Sequence, residues 1–342
     1  MNAKISPCII QLYTTMFTCE DCDKTFRFKS KYDTHKKRKT PCGKAKQTIM
    51  AVVVGDTHPE YIPKPPLKWV GGKTQLLDKL IAGFPVEMNN YHEIFLGGGS
   101  VLLAVLQYAQ QGIIQIRGKV YAYDINQPLI HFYKNIQTHP QELYDETQRL
   151  LTEWNSSGES KETYYYSIRT QYNSLSDKTT VQCSAMFLFL NKMCFRGMYR
   201  VGPNGFNVPY GNYKNPEILN RDHITEIHRL IQNVEFECCD FSASLQRVIP
   251  GDYMYVDPPY APVNSSSFVG YTESGFDMNQ HKALFGLLQE PNKKFTMSNA
   301  DVELVREHFR GAKYNIETVS CRRAINARNP ESRVNEVIIR NH

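Results

Sequence analysis

The chain has 342 residues, room for two or three folded units, with 40 Lys plus Arg against 34 Asp plus Glu and a net charge of +6. Nine cysteines, scattered apart from an N-terminal group and the adjacent Cys238 and Cys239, exclude a disulfide framework and predict a reducing, intracellular compartment. No signal peptide is visible, and the apolar run over residues 49–54 is too short to cross a bilayer, so no membrane partner is expected.

Positive charge is concentrated at the N-terminus. Residues 1–50 hold 11 Lys plus Arg against 4 Asp plus Glu, a net of +7, so the rest of the chain nets −1. The run Lys36-Lys37-Arg38-Lys39 is its densest part, and such a surplus favours salt-sensitive, sequence-independent contact with phosphates. In the same stretch Phe17, Cys19, Cys22, Phe26, Tyr32 and His35 share a spacing that resembles a small ββα zinc finger, over residues 15–45. The finger register calls for a second histidine where Lys39 stands. Cys42 is the available fourth ligand, and tetrahedral zinc accepts a Cys19, Cys22, His35, Cys42 set. So small a segment cannot bury enough apolar surface to fold unaided, so a structural Zn2+ would supply the folding energy. Residues 46–66, proline-rich toward their end, read as a linker.

Beyond the linker, Leu67-Lys68-Trp69-Val70-Gly71-Gly72-Lys73 precedes a helical pattern over residues 75–81. Glu93-Ile94-Phe95-Leu96 then reads as a strand breaking into Gly97-Gly98-Gly99-Ser100, followed by an apolar helix over residues 101–109. A second strand over residues 120–126 carries an acid, Asp124, toward its end. This is the first half of a doubly wound α/β nucleotide-binding fold: glycines admit a ligand close to the backbone, and an acid on the next strand can take two ribose hydroxyls. The loop is not G-x-G-x-x-G and Asp124 lies further along than that motif places its acid, so a cofactor lacking pyrophosphate fits better than a dinucleotide. Residues 129–220 form a mainly helical insert, in which the run Tyr164-Tyr165-Tyr166 is expected to pack.

Tyr253-Met254-Tyr255-Val256 reads as a buried strand, and it runs into Asp257-Pro258-Pro259-Tyr260. Two prolines forbid both helix and ladder pairing, so the chain leaves the sheet extended at the edge where open α/β sheets bind ligands. A carboxylate, a carbonyl and an aromatic ring are presented there together.

Asp257-Pro258-Pro259-Tyr260 resembles the catalytic motif of S-adenosylmethionine-dependent amino methyltransferases. The order of Lys68-Trp69 to Lys73, glycine loop, long insert and that motif resembles the alpha arrangement of DNA adenine methyltransferases. Within the insert, residues 190–200 and 205–213 resemble the target-recognition hairpin of the Dam family, which methylates adenine in GATC of double-stranded DNA. The resemblance implies a Rossmann-like methyltransferase core over residues 67–128 and 221–342, with a target-recognition domain inserted at 129–220. It further implies that Asp257 and the Pro258 carbonyl accept the two amino hydrogens of a flipped adenine, with Pro259 in the motif and Tyr260 stacked on the base. S-adenosylmethionine would lie among Trp69, Lys73, Phe95, Leu96, Gly97, Gly98, Gly99, Ser100, Asp124 and Asp257.

On the DNA side, Arg200 matches the family arginine that reads guanine, Lys68 a lysine on a target base, and Met198 and Pro209 apolar contacts. Phe195 matches an aromatic wedge. Arg196 replaces a usual asparagine beside it, and Met198 a usual leucine. A finger fused to such an enzyme suggests the nucleus, cytoplasm or viral factory of a eukaryotic host. A monomer is expected, although the sequence does not give the oligomeric state. Two other readings remain open: an amino methyltransferase acting on cytosine's amine or on RNA, and a DNA-binding protein that keeps the fold without catalysis.

Overall fold

The computed structural model describes residues 17–19, 24–26, 29–37, 59, 61–156, 158–214, 216, 218, 220–262, 276–322 and 333–342. The chain divides into two compact units, Met1–Ala51 and Val52–His342. In the first, β1 (Phe17–Thr18) pairs antiparallel with β2 (Thr25–Phe26), and α1 (Lys29–Lys36) follows. Tyr32 on α1 packs its ring 6.0 Å from both Phe17 and Phe26, and His35 lies 4.8 Å from Phe26. The three expected hydrophobes therefore form one small cluster. Cys19 is buried, with its N–H bonded to the Lys24 carbonyl at 2.9 Å. Cys22 and Cys42, the other two expected zinc ligands, lie outside the described residues, as does Lys39. Among the described residues, no group of three or more His, Cys, Asp or Glu side chains could hold a metal ion.

The second unit opens with α2 (Leu77–Ile81), β3 (Glu87–Met88), β4 (Tyr91–Glu93), α3 (Ser100–Gln110), β5 (Gln115–Ile116), β6 (Val120–Asp124) and α4 (Gln127–Thr138). Three helices follow, α5 (Pro140–Ser156), α6 (Lys161–Ser174) and α7 (Val181–Met193), then the hairpin of β7 (Val201–Gly202) and β8 (Gly205–Phe206). The chain returns through α8 (Arg221–Leu230), β9 (Val234–Cys238), α9 (Phe241–Gln246) and β10 (Tyr253–Val256). It closes with α10 (Met278–Leu288), β11 (Lys294–Ala300), α11 (Glu303–His308), β12 (Asn315–Arg322) and β13 (Arg333–Arg340).

Seven strands form one sheet in the order β12-β13-β11-β10-β4-β6-β9. All neighbours from β11 to β9 run parallel, and β13 is antiparallel to both β11 and β12. From β4 the chain builds outward through β6 to β9, then returns to lay β10 and β11 on the other side of β4. The boundary between β4 and β10 is thus the topological switch point, where a crevice opens at the strands' C-terminal ends.

Two apolar cores sandwich this sheet. Along β10, Tyr253 and Tyr255 enter the core shared with α2, α3, α4 and α8, while Met254 and Val256 enter the core shared with α9, α10 and α11. That is the period-two alternation of a strand buried on both faces. The two buried tyrosines satisfy their hydroxyls across the sheet, Tyr253 on Thr296 Oγ1 at 2.6 Å and Tyr255 with Ser298 Oγ at 2.8 Å.

The inserted helices share the first core. Ten of the thirteen residues of α7 are buried, so it is apolar on every side and carries α4, α5 and α6 around it. Tyr164 and Tyr165 are buried, and the Tyr165 hydroxyl donates to the Val208 carbonyl at 2.8 Å, tying α6 to the strand end beyond the hairpin. Among the described residues, no helix is long and apolar enough to cross a membrane.

Candidate active site

The glycine loop leaves β4 at the switch point. The ladder stops at Glu93, but Ile94 N–H still bonds the Tyr255 carbonyl at 3.0 Å and Leu96 N–H the Tyr123 carbonyl at 2.8 Å. The alternation therefore carries the chain between β10 and β6 until Gly97 turns it. Gly97 and Gly99 have φ of +49° and +74°, values that side chains resist. Gly99 also caps α3, and a Cβ there would stand 2.5 Å from the Tyr133 hydroxyl, which donates to the Gly98 carbonyl at 2.7 Å. A Cβ on Gly98 would stand 2.8 Å from Trp69 Cβ. Trp69 thus lies directly against the loop, with its ring stacked on Tyr199 at 5.6 Å.

Asp124, at the end of β6, accepts the Gly97 N–H at 3.0 Å on one oxygen and the Asn126 N–H at 2.9 Å on the other. Burial pushes its carboxyl up, and those backbone bonds pull against the shift. Ile125, the next residue, is an apolar side chain left 58 % exposed. At the end of β9, Asp240 caps α9 by accepting from Ser242 N and Oγ, and Phe241 stacks on Phe95 with ring centroids 6.0 Å apart. Nothing in the sequence marks Ile125 or Phe241; only the parallel register of β4, β6 and β9 lines up their C-terminal ends.

Asp257 emerges from β10 beside this loop. Lys73 Nζ lies 2.6 Å from its Oδ2 and also donates to the Gly71 carbonyl at 2.6 Å, with the lysine side chain only 5 % exposed. The Lys73 backbone N–H is held in turn by Ser100 Oγ at 3.1 Å. Asp257 Oδ1, by contrast, is buried and has no hydrogen-bond partner among the described residues. Burial pushes this carboxyl up to about 6, against the pull of the Lys73 ammonium, and the charge of Glu336 adds to the rise. Glu93, below it on β4, is pushed up to about 8 by burial although Tyr91 donates to it at 2.8 Å; it is therefore largely uncharged at neutral pH.

Pro258 is buried, and the prolines project Tyr260 so that its hydroxyl donates to Glu336 Oε2 at 2.7 Å while Lys73 Nζ sits 5.0 Å from its ring centroid. Asn299, at the end of β11, fixes the exit of the segment by accepting the Ala261 N–H at 3.0 Å. Trp69, Lys73, residues 95–100, Asp124 and residues 257–260 thus come together around one crevice.

The other expected residues gather on the hairpin beyond α7. Asn191, buried near the end of that helix, accepts the Lys68 N–H at 2.8 Å and donates to the Lys68 carbonyl at 2.7 Å. Lys68 Nζ lies 4.3 Å from the Tyr213 ring centroid. Phe195 is 45 % exposed, and its N–H bonds the Pro209 carbonyl at 2.8 Å. Arg196 holds a left-handed φ of +58°, anchored by its N–H on the Tyr213 hydroxyl at 2.8 Å. Asparagine tolerates that backbone well, and arginine bears it at some cost. Met198 is half-buried against the core. Arg200 is clasped by Asn207, through Nε to Oδ1 at 2.6 Å and Nη2 to the carbonyl at 3.3 Å.

A family profile described as D12 class N6 adenine-specific DNA methyltransferase matches residues 69–325. The type II methyltransferase M.MjaIII of Methanocaldococcus jannaschii is 35 % identical over 294 residues, which cover 82 % of this chain and 99 % of that protein. A DNA adenine methylase of Haemophilus influenzae is 30 % identical over 282 residues, covering 81 % of this chain and 92 % of the relative. A DNA adenine methylase of Escherichia coli is 30 % identical over 268 residues, covering 76 % and 88 %. With the family matched across the whole switch-point crevice, the chain belongs to the D12 class of N6 adenine-specific DNA methyltransferases.

Proposed function

We propose that this enzyme takes the methyl group from S-adenosylmethionine and places it on an adenine flipped out of double-stranded DNA, within GATC. The observation that carries this reading is Asp257, with one oxygen on Lys73 and the other buried and unpartnered at the switch point. The residues present suit the cofactor. The loop from Gly97 to Gly99 carries no side chains of its own and packs directly on Trp69 and Tyr133, Asp124 ends β6 with the exposed Ile125 next to it, and Phe241 opens α9 just beyond β9. Asp124 would take the ribose hydroxyls, Ile125 and Phe241 the adenine ring, and Trp69 and Lys73 the rest of the molecule. When bound, this cofactor supplies an electrophilic methyl on a sulfonium sulfur.

The adenine amine is a weak nucleophile because its lone pair is shared with the ring. Asp257 Oδ1 and the Pro258 carbonyl accept its two N–H groups, which localises the lone pair on nitrogen for in-line attack. With the cofactor bound, the adenine nitrogen would gain the methyl as its bond to sulfur broke, and Asp257 would take up the proton that the nitrogen sheds. Tyr260 stacks on the base, which must leave the helix to reach the pocket. On the hairpin Arg200 reads guanine with its planar fork, Phe195 wedges the vacated stack, and Lys68, Arg196, Met198 and Pro209 line the same surface.

The N-terminal unit is read as a zinc finger with Cys19, Cys22, His35 and Cys42 as ligands. Its support is the ββα order and the packing of Tyr32 on Phe17 and Phe26. Its surplus positive charge would add sequence-independent DNA affinity to a remainder that nets −1. Elemental analysis of purified protein should find one zinc per chain, and none in Cys42→Ser; zinc-free wild type would end this reading.

The enzymatic test is transfer of labelled methyl from S-adenosylmethionine to duplexes containing GATC or one replaced base, alongside Asp257→Ala. Incorporation confined to GATC and lost in Asp257→Ala is expected. Equal incorporation into every duplex would refute the target, and transfer to cytosine or RNA would refute the acceptor.

A further inference from the structure

Tyr260 is held by a carboxylate that lies outside the motif. Glu336 sits on β13, paired with Ala300 of β11 on one side and Val319 of β12 on the other, and reaches the Tyr260 hydroxyl at 2.7 Å. The motif itself cannot orient that ring. Its two prolines take it out of the sheet ladder, and the next anchor on the backbone is Ala261 on Asn299. The ring is therefore fixed by its surroundings: Glu336 at the hydroxyl and the Lys73 ammonium 5.0 Å from the centroid.

The chemistry argues that this contact does more than fill a hydrogen-bonding need. A neutral acceptor would satisfy the hydroxyl. A carboxylate makes a bond about twice as strong as a neutral one. It also sets a second acidic side chain near Asp257, in a site where Lys73 is the cation within ion-pair reach among the described residues. Like charges placed so close are costly unless used. Their use is to hold the ring plane steady and to keep the crevice negative, as suits a cationic methyl donor.

We infer that Glu336 is a positioning residue for methyl transfer, fixing through Tyr260 the plane on which the acceptor base stacks. This rests on the reading that Tyr260 stacks on the flipped adenine. Asp257 is faced by Lys73, Glu336, Glu93, Tyr255 and Tyr260, and Glu336 by Asp257, Tyr255, Tyr260 and Cys321. Removing the Glu336 charge takes away one of the influences that raise Asp257, so the acid limb of activity should move below about 6.

The test compares full-length wild type with Glu336→Leu, Glu336→Gln, Tyr260→Phe, Tyr260→Ala and the Glu336→Leu/Tyr260→Phe double variant. Single-turnover methyl transfer, KM for duplex DNA and the pH profile are measured, with fluorescence of a duplex carrying 2-aminopurine at the target to report flipping. Glu336→Leu should lower kcat by about 10-fold with KM changed less than ~3-fold, since misplacement of a stacking partner is felt mainly in the chemical step. Glu336→Gln should restore most of kcat, because its amide oxygen accepts the same bond, yet shift the acid limb downward. The double variant should be no slower than the slower single one, as expected for residues acting through one contact. Unchanged kcat in Glu336→Leu, or losses that multiply in the double variant, would overturn the inference. Should the leucine variant not fold, Tyr260→Phe, which loses the same hydrogen bond, decides in its place: an unchanged kcat overturns the inference. A wild type that methylates without regard to GATC would sink the target assignment, while the Glu336 comparison would still be read on the duplex it does methylate. Flipping and transfer that are unaffected in Tyr260→Phe would also overturn the inference, since phenylalanine keeps the stacking ring and loses only the hydroxyl that Glu336 holds; flipping and transfer unaffected in Tyr260→Ala would instead locate the failure in the stacking reading.

Discussion

Replacing Lys73 by methionine keeps most of the side chain's length and removes the cation from Asp257. The ammonium lies 2.6 Å from Oδ2 in a setting where the lysine is 5 % exposed, so little solvent screens the pair. An opposite charge at such range lowers a carboxyl by roughly 1–3 pKa units, about 1.4 kcal/mol each. Starting from about 6, Asp257 in Lys73→Met should titrate ~1–3 units higher, at roughly 7–9. At pH 7 the ionised fraction then falls from roughly nine-tenths to between about one-half and one-hundredth. The assay is the initial rate of labelled methyl transfer at subsaturating DNA across a pH series, which reports the free enzyme. The acid limb of kcat/KM should move up by the same ~1–3 units, with activity returning toward alkaline pH. Loss of a cofactor contact would lower the whole profile without moving the limb, so the two effects separate. A limb that stays near 6 would refute the claim that Asp257 must be ionised. Stability carries the matching sign. Asp257 is raised in the fold, so its contribution is full below the unfolded value of 3.8 and is lost as pH rises through about 6. In Lys73→Met that loss extends to higher pH.

Gly99→Ala forces a left-handed backbone on alanine at about 1–2 kcal/mol and drives a methyl into the Tyr133 hydroxyl; calorimetry should show cofactor affinity reduced by at least ~10-fold. Arg200→Ala should narrow the kcat/KM ratio between GATC and duplexes with the guanine replaced by about 1–3 kcal/mol, leaving transfer to the altered duplexes nearly unchanged. Asp252 accepts from His92 at 2.9 Å and also from Asn89, Asn90 and Ile249 N–H, so Asp252→Ala strands the buried His92 ring and breaks up the polar network that joins these segments. Urea unfolding should show a loss of about 3–5 kcal/mol. In the wild type, burial holds His92 below its ordinary 6.5 despite that carboxylate, so stability should fall as pH drops below 6.5 and the unfolded chain takes up the proton first.

Local pattern carried much of the architecture. The strand over residues 253–256 is bounded as the run of Tyr and Val followed by Pro-Pro implies, and the helix expected over residues 101–109 runs one residue further at each end, from Ser100 to Gln110. β4 is harder to read. Its three residues Tyr91, His92 and Glu93 look polar in sequence, yet all are buried because Asp252 and Tyr91 satisfy the histidine and the glutamate. Contacts across long stretches of chain leave no local mark. Lys73 meets Asp257 only once β10 is laid beside β4, and Tyr260 meets Glu336 only once β13 has been threaded between β11 and β12. The same holds for Asn191: a polar residue near the end of an apolar helix has no visible purpose until both amide atoms close on Lys68.

That clasp has a consequence for how the enzyme's two ligands sense one another. Lys68 is bonded to the helix that launches the recognition hairpin, and the next residue, Trp69, lies against Gly97 and Gly98 while stacking on Tyr199 of the hairpin's own approach. One dipeptide is thus a shared wall between the hairpin and the glycine loop, the two elements proposed above to hold DNA and cofactor. On the proposed reading, a displacement of the hairpin on a duplex would reach the loop through a single peptide bond. Binding at the two sites is then linked by one free energy, and linkage works in both directions. Whatever factor the cofactor adds to DNA affinity, the duplex must return in full to the cofactor.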